Sequence, residues 1–295
     1  MCIRDRDETE VFANDSKKKI YMHWMYDVPM GEQLDDDGDS LESIEGCLTD
    51  AQYNRDEHRK AVIDDILDNW VSQSHNGKFH AILATSSIPE AIKYYKLFAQ
   101  RDCGLKTTAV FDPSDGNNES SIEKIDGIAQ MLEDYNSLFG TCFNISGYAS
   151  FKRDVCARLA HKTPYTAVEN EPSKCLDILI VVDQMLTGYD SKWLNTLYMD
   201  KFYKWSNIEM IIQAFSRTNR VFNDDKPHGI IRYYRRPYTM KNIIEYAFEQ
   251  YSGQKPYGIF VAKLIQNLEN MNAAFSDIND IFKIAGIPDF FKTSR

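Results

Sequence analysis

Five consecutive apolar side chains, Ile178-Leu-Ile-Val-Val182, constrain this chain more than any other stretch. A strand with one wet face alternates apolar and polar residues. This run does not alternate, so a strand here is buried on both faces. Short runs of the same kind recur at Phe79–Ala84, Thr107–Phe111, Thr196–Met199 and Gly229–Tyr234. Stretches of helical period lie between them: His58–Trp70, Ala91–Ala99, Ser121–Phe139, Ser150–His161, one that starts at Ile208, and Met240–Tyr251. Buried strands alternating with helices predict the α/β class, a parallel sheet with flanking helices. The loops that bind ligands in such sheets leave the carboxyl ends of the strands. Thr85-Ser86 and Thr187-Gly188-Tyr-Asp190 are expected there.

Residues 1–76 read as a lead-in, 77–252 as the sheet-bearing lobe, and 253–295 as the start of a helical domain. Met1–Arg6 resembles translated adaptor sequence, so a fragment of a longer chain is expected. Asp35–Asp39 has the acidity of a calcium loop, but its glycine is misplaced and Gly46 stands where a closing glutamate is needed; a solvated turn is expected. Ser87-Ile-Pro-Glu90 has the form of a capping box with proline in the first turn. The formal net charge of −10 excludes a uniformly basic nucleic-acid coat and leaves room for a local basic groove. No apolar run approaches the roughly 20 residues that span a bilayer. The 6 cysteines form no CxxC and meet no histidine at zinc-ligand spacing, so reduced thiols, a cytoplasmic setting and no metal site are expected.

The stretch from Ile208 to Arg220 carries the sharpest chemistry. Ile208, Ile211, Ile212 and Phe215 make one apolar stripe. Gln213, Arg217 and Arg220 are spaced i, i+4 and i+7, and on a continuous helix they share the opposite face. Two guanidiniums and an amide on a wet face suit an anion, and arginine's planar fork suits phosphoryl oxygens. Arg232-Tyr-Tyr-Arg-Arg236 reads either as a DNA-facing patch or as a half-buried strand. His161, beside Lys162, reads as a charge partner of a helix C-terminus.

Gln213-x-x-Ser216-Arg217-x-x-Arg220 resembles motif VI of superfamily 2 helicases and translocases, Thr187-Gly188-Tyr-Asp190 resembles motif V, and Ile82-Leu-Ala-Thr85-Ser86 resembles the motif IV region. Longer phrases narrow the resemblance. Val182–Trp193, Leu197–Lys201, Ile212–Arg220, Ile231–Pro237 and Leu159–Tyr165 are similar to the motor (R) subunit of type I restriction endonucleases, across most of the chain from about Asp56. The resemblance implies a second RecA-like lobe. Arg217 and Arg220 would reach the γ-phosphate of ATP, with Arg220 as the arginine finger, and Gln213 would position phosphate or water. Gly188 and Asp190 would couple nucleotide to DNA. Thr85, Ser86 and Thr187 would contact the phosphates of double-stranded DNA, which positions a duplex without reading it.

The chain contains no G-x-x-x-x-G-K-[ST], no Walker-B-like run and no nuclease pattern. ATP and Mg2+ are therefore expected mainly on a first RecA-like lobe. The partners implied are that lobe, the nuclease domain of the same parent chain, and the methyltransferase (M) and specificity (S) subunits. The fragment alone is expected to be inactive. Two alternatives remain open: another superfamily 2 DNA translocase, or a catalytically silent DNA-binding or assembly lobe.

Overall fold

The computed structural model describes residues 15–35, 37–101, 103–111, 121–182, 189, 191–222, 225–252 and 264–284. Five strands, β1 His80–Thr85, β2 Thr107–Val110, β3 Ile178–Val181, β4 Leu194–Asp200 and β5 Ile230–Tyr233, form one sheet in the order β2-β3-β1-β4-β5. Every pairing is parallel. Leu83 of β1 faces Ile180 on one side and Tyr198 on the other. β1, β3 and β4 are buried along their whole length, as their unbroken apolar runs require, and the edge strand β5 is half-buried. This is the predicted α/β architecture, a RecA-like parallel sheet with flanking helices.

The helices are α1 Asp15–Met22, α2 Asp56–Gln73, α3 Ile88–Gln100, α4 Ser121–Phe139, α5 Tyr148–Leu159, α6 Ile208–Ser216, α7 Pro237–Ser252 and α8 Leu264–Ile284. Residues 1–247 form one compact unit and residues 248–295 a second. The described residues of the second unit are helical, with Met271, Phe275, Ile278 and Ile281 exposed on α8.

The stretch before residue 77 is built into the first unit. Val62, Ile63 and Ile66 of α2 are at most 2% exposed. Ahead of α2, the Glu45 carboxylate accepts from the backbone N–H of Tyr238 (3.1 Å) and Thr239 (2.7 Å). It thereby satisfies the first turn of α7, where a negative charge also suits the helix dipole. Gly31 is required there, because a Cβ would come within 2.5 Å of the Tyr238 carbonyl carbon. The acidic turn is held by Asp35, whose Oδ1 accepts from the N–H of Asp37 and Asp39, and Asp35, Asp37 and Asp39 are exposed, as expected of a solvated loop.

Half of the expected capping box forms. Ser87 Oγ accepts from Glu90 N at 3.4 Å. The Glu90 carboxylate is not turned back to Ser87. It takes both Nε and an η-nitrogen of Arg59 at 2.7 Å, with Arg59 2% and Glu90 4% exposed. A carboxylate buried this deeply needs a cation more than a backbone amide.

Candidate functional site

The chain leaves β3 at Val181 and enters β4, parallel to it on the far side of β1, at Leu194. The segment 182–193 must therefore travel from the carboxyl edge of the sheet back to its amino edge. Segment 201–229 makes the same return between β4 and β5. These two returns divide the expected functional residues between opposite edges.

Thr85 and Ser86 stand at the carboxyl edge. Thr85 is fully buried, and its hydroxyl donates to the Val181 carbonyl at 3.0 Å, so that hydroxyl is spent inside the sheet. Ser86 is exposed at the strand end, one residue before the α3 cap. Thr187, Gly188 and Asp190 lie outside the described residues. Behind this edge sits a buried network. Asp200, the register partner of Thr85, accepts from His58 Nε2 (2.8 Å), the Tyr94 hydroxyl (3.0 Å) and two nitrogens of Arg235 (2.9 Å each). Burial alone would raise the Asp200 carboxyl, but the hydrogen bonds from His58 and Arg235 outweigh it and hold the group below its ordinary range.

Tyr189 marks the other edge. Its hydroxyl meets Nε2 of His80, the first residue of β1, at 3.0 Å. Its carbonyl accepts from an η-nitrogen of Arg217 at 3.3 Å. Tyr189 and the Arg217 guanidinium thus meet at the amino ends of the strands. For Tyr189 this corrects the expectation of a carboxyl-end position. The physical reason is that the chain must be back at the amino edge when parallel β4 begins at Leu194.

The shared helical face also needs correction. The apolar stripe forms as expected, with Ile211 and Phe215 buried and Ile208 and Ile212 half-buried. But α6 ends at Ser216, Arg217 is its C-cap, and Arg220 lies beyond it. The Ser216 hydroxyl donates to Gln213 O (2.7 Å) and the Thr218 hydroxyl to Phe215 O (3.0 Å), so side chains take the last carbonyls and the helix stops. Gln213 and Arg220 are exposed and Arg217 is half-buried.

The turn that carries Arg220 closes on an aromatic cluster. Phe222 pairs with Lys226 through backbone hydrogen bonds in both directions (3.0 and 3.1 Å). Its ring lies 4.5 Å from Trp193 and 5.5 Å from Phe79. His161 lies past the end of α5 and stacks on Trp193 at 3.9 Å, so its ring joins this cluster. Lys226 is fully buried and donates to the carbonyls of Arg220 (2.7 Å) and Lys192 (3.4 Å). Burial lowers its ammonium pKa to about 8. His80 is held well below the ordinary imidazole range, first by burial and then by repulsion from His161 and Lys226.

The basic-aromatic run 232–236 is consumed internally. Arg232 and Tyr234 both donate to Asp65 of α2, Arg235 to Asp200, and Arg236 to Leu48 O. The half-buried-strand reading fits Arg232, in β5; Tyr234, Arg235 and Arg236 follow the strand and are held by these internal contacts. Sequence reasoning missed Arg59, Glu90, Asp200 and Lys226. One signal was present: Arg59 falls in register with Val62, Ile66 and Trp70 on the buried face of α2. Among the described residues, no His, Cys, Asp or Glu group is placed to hold a metal ion, and no helix is long and apolar enough to cross a membrane.

Fold and site together define a RecA-like α/β lobe with an arginine-bearing amino edge. Residues 77–236 match the family model for domain 3 of the type I restriction enzyme subunit R, and the chain belongs to that family. It is 32% identical over 213 residues to a type I restriction enzyme endonuclease subunit of Staphylococcus saprophyticus, covering 69% of this chain and 22% of that protein. A Staphylococcus aureus counterpart is 31% identical over 200 residues, 65% of this chain and 20% of the relative. One from Haemophilus influenzae is 42% identical over 60 residues, 20% of this chain and 5% of the relative. The chain thus spans about a fifth of the length of the two staphylococcal relatives.

Proposed function

We propose that this chain is the second motor lobe of a type I restriction R subunit, in which ATP turnover pumps double-stranded DNA before cleavage. The carrying observation is the division of chemistry between the two edges. Arg217 and the turn that carries Arg220 sit at the amino edge, and Ser86 sits at the carboxyl edge. A motor needs nucleotide contacts and track contacts on one rigid body but at different places.

The amino-edge donors fit a nucleotide. Gln213, Arg217 and Arg220 offer N–H groups, which suit phosphate oxygens; Mg2+ is assigned to the first lobe. When bound, ATP supplies a γ-phosphoryl group for transfer to water. Arg217, oriented by the Tyr189 carbonyl, holds phosphate oxygens, Arg220 places positive charge where negative charge builds, and Gln213 orients phosphate or water. Gly188 and Asp190 link this edge to the DNA. At the carboxyl edge the DNA-backbone role passes to Ser86, since the Thr85 hydroxyl is occupied by Val181; Thr187 keeps the phosphate-contact role that the resemblance implies. The first lobe and nuclease domain, together with M and S subunits in a prokaryotic cytoplasm, complete the enzyme. This chain by itself is inactive.

The test is a separation of effects in the assembled full-length enzyme. Arg220→Ala should lower ATP turnover by about 10³–10⁵-fold with DNA binding retained. Ser86→Ala should weaken DNA-stimulated turnover and translocation while leaving nucleotide affinity in place. Normal turnover in Arg220→Ala removes the finger. Unchanged DNA coupling in Ser86→Ala removes the track contact and leaves an assembly lobe as the better reading.

A further inference from the structure

Arg220 lies beyond the last turn of α6, so the helix does not set its position. Its backbone carbonyl is held instead by the ammonium of Lys226 at 2.7 Å. The same ammonium reaches the carbonyl of Lys192 at 3.4 Å. Lys192 lies three residues past Tyr189, whose carbonyl orients Arg217. Both arginines are thus referred to one short segment, residues 189–192: Arg217 directly, and Arg220 through Lys226. A neutral donor would satisfy two carbonyls at lower cost, since burying a cation is expensive. Among the described residues no carboxylate acts on Lys226 to offset that cost. A lysine at this position supplies reach and donors to two carbonyls at once.

We propose that Lys226 is a positioning residue that sets Arg220 relative to Arg217 by clamping the Arg220 carbonyl to that of Lys192. The inference rests on the reading of Arg220 as a phosphate contact. Lys226 itself touches neither nucleotide nor DNA. Without the clamp, the turn 217–222 is free to shift by about 1 Å, a misplacement large enough to slow group transfer.

A double-mutant cycle in the assembled full-length enzyme tests this, with steady-state ATP hydrolysis, DNA binding and thermal melting measured on each variant. Lys226→Met should lower kcat on the order of 10²-fold, the scale of a misplaced catalytic group, with KM for ATP and DNA affinity near wild type. In the Arg220→Ala background the same change should cost less than about threefold, because the group being positioned is gone. If Lys226→Met loses its melting transition, Lys226→Gln takes its place: its amide keeps two N–H donors on a shorter side chain that does not span both carbonyls, so kcat should still fall, by less than in Lys226→Met, and the fall should again vanish in the Arg220→Ala background. Wild-type kcat in the single variant overturns the proposal, as does an equal loss in the Arg220→Ala background, which would mark Lys226 as a general stabiliser. Normal turnover in Arg220→Ala alone refutes the finger and the positioning role together. A loss in Arg220→Ala with none in Lys226→Met refutes only the positioning role.

Discussion

At the scale of single residues, His80 makes the lobe sensitive to acid. Its imidazole is kept neutral by burial and by the neighbouring His161 and Lys226, with Tyr189 on Nε2. The unfolded chain takes up a proton near pH 6.5, whereas the folded chain does so only at a much lower pH. The unfolded state therefore binds more protons as pH falls below 6.5, and stability present above that value is lost on acidification. The slope contributed is at most about 1.4 kcal/mol per pH unit. His80→Gln should remove this component, so urea midpoints of variant and wild type should converge between pH 7.5 and 5. Parallel midpoint-against-pH curves would show that His80 does not titrate in this way. None of this was legible in the sequence, where His80 is one residue of an apolar run. Arg217 and Arg220 stood out in the sequence because their spacing resembles a motif. Lys226 was not, because a lysine in a polar turn gives no sign that it folds inward.

At the scale of elements, the strands were the easiest to read, since burial on both faces leaves an unbroken apolar run. Helix ends were harder. Ser216-Arg-Thr-Asn219 offers hydroxyls and an amide that compete for backbone carbonyls, and that signal of an early stop is outweighed by the i, i+4, i+7 regularity across it. The role of Glu90 was half visible. Its backbone takes the Ser87 cap, but its carboxylate answers to Arg59, 31 residues away on α2. That pair joins α2 to the start of α3 immediately behind Ser86. Arg59→Met leaves Glu90 buried without its bidentate partner and should destabilise the lobe by about 3–5 kcal/mol. Glu90→Gln with Arg59→Met should recover part of this loss, as read from denaturant midpoints. A double variant no better than Arg59→Met alone would mean that the loss comes from packing rather than from stranded charge.

At the scale of the molecule, the lobe is larger than its motif-bearing part. Residues 28–73 carry no recognised motif, and composition alone gave no reason to attach them to the sheet. Yet α2 packs Val62, Ile63 and Ile66 into the core, and Glu45 completes α7. Those three side chains alone contribute on the order of 5–9 kcal/mol of burial, comparable with the whole stability of a typical domain. A chain starting at Gly77 should therefore show no cooperative thermal transition, whereas one starting at Val28 should melt cooperatively. Equal melting temperatures for the two would return residues 28–76 to the status of a linker.

The separation of the two edges also sets a length. β4 runs from Leu194 to Asp200, and at the usual rise per residue it measures about 23 Å. Packed on both faces, it transmits displacement as a strut does, with little bending. A rotation of about 8–9° about one end carries the other through about 3.4 Å, the rise of one base pair. For a lobe working as proposed, a small hinge angle is thus geared to one nucleotide of travel. A measured elementary step of many base pairs would place the moving joint outside this sheet.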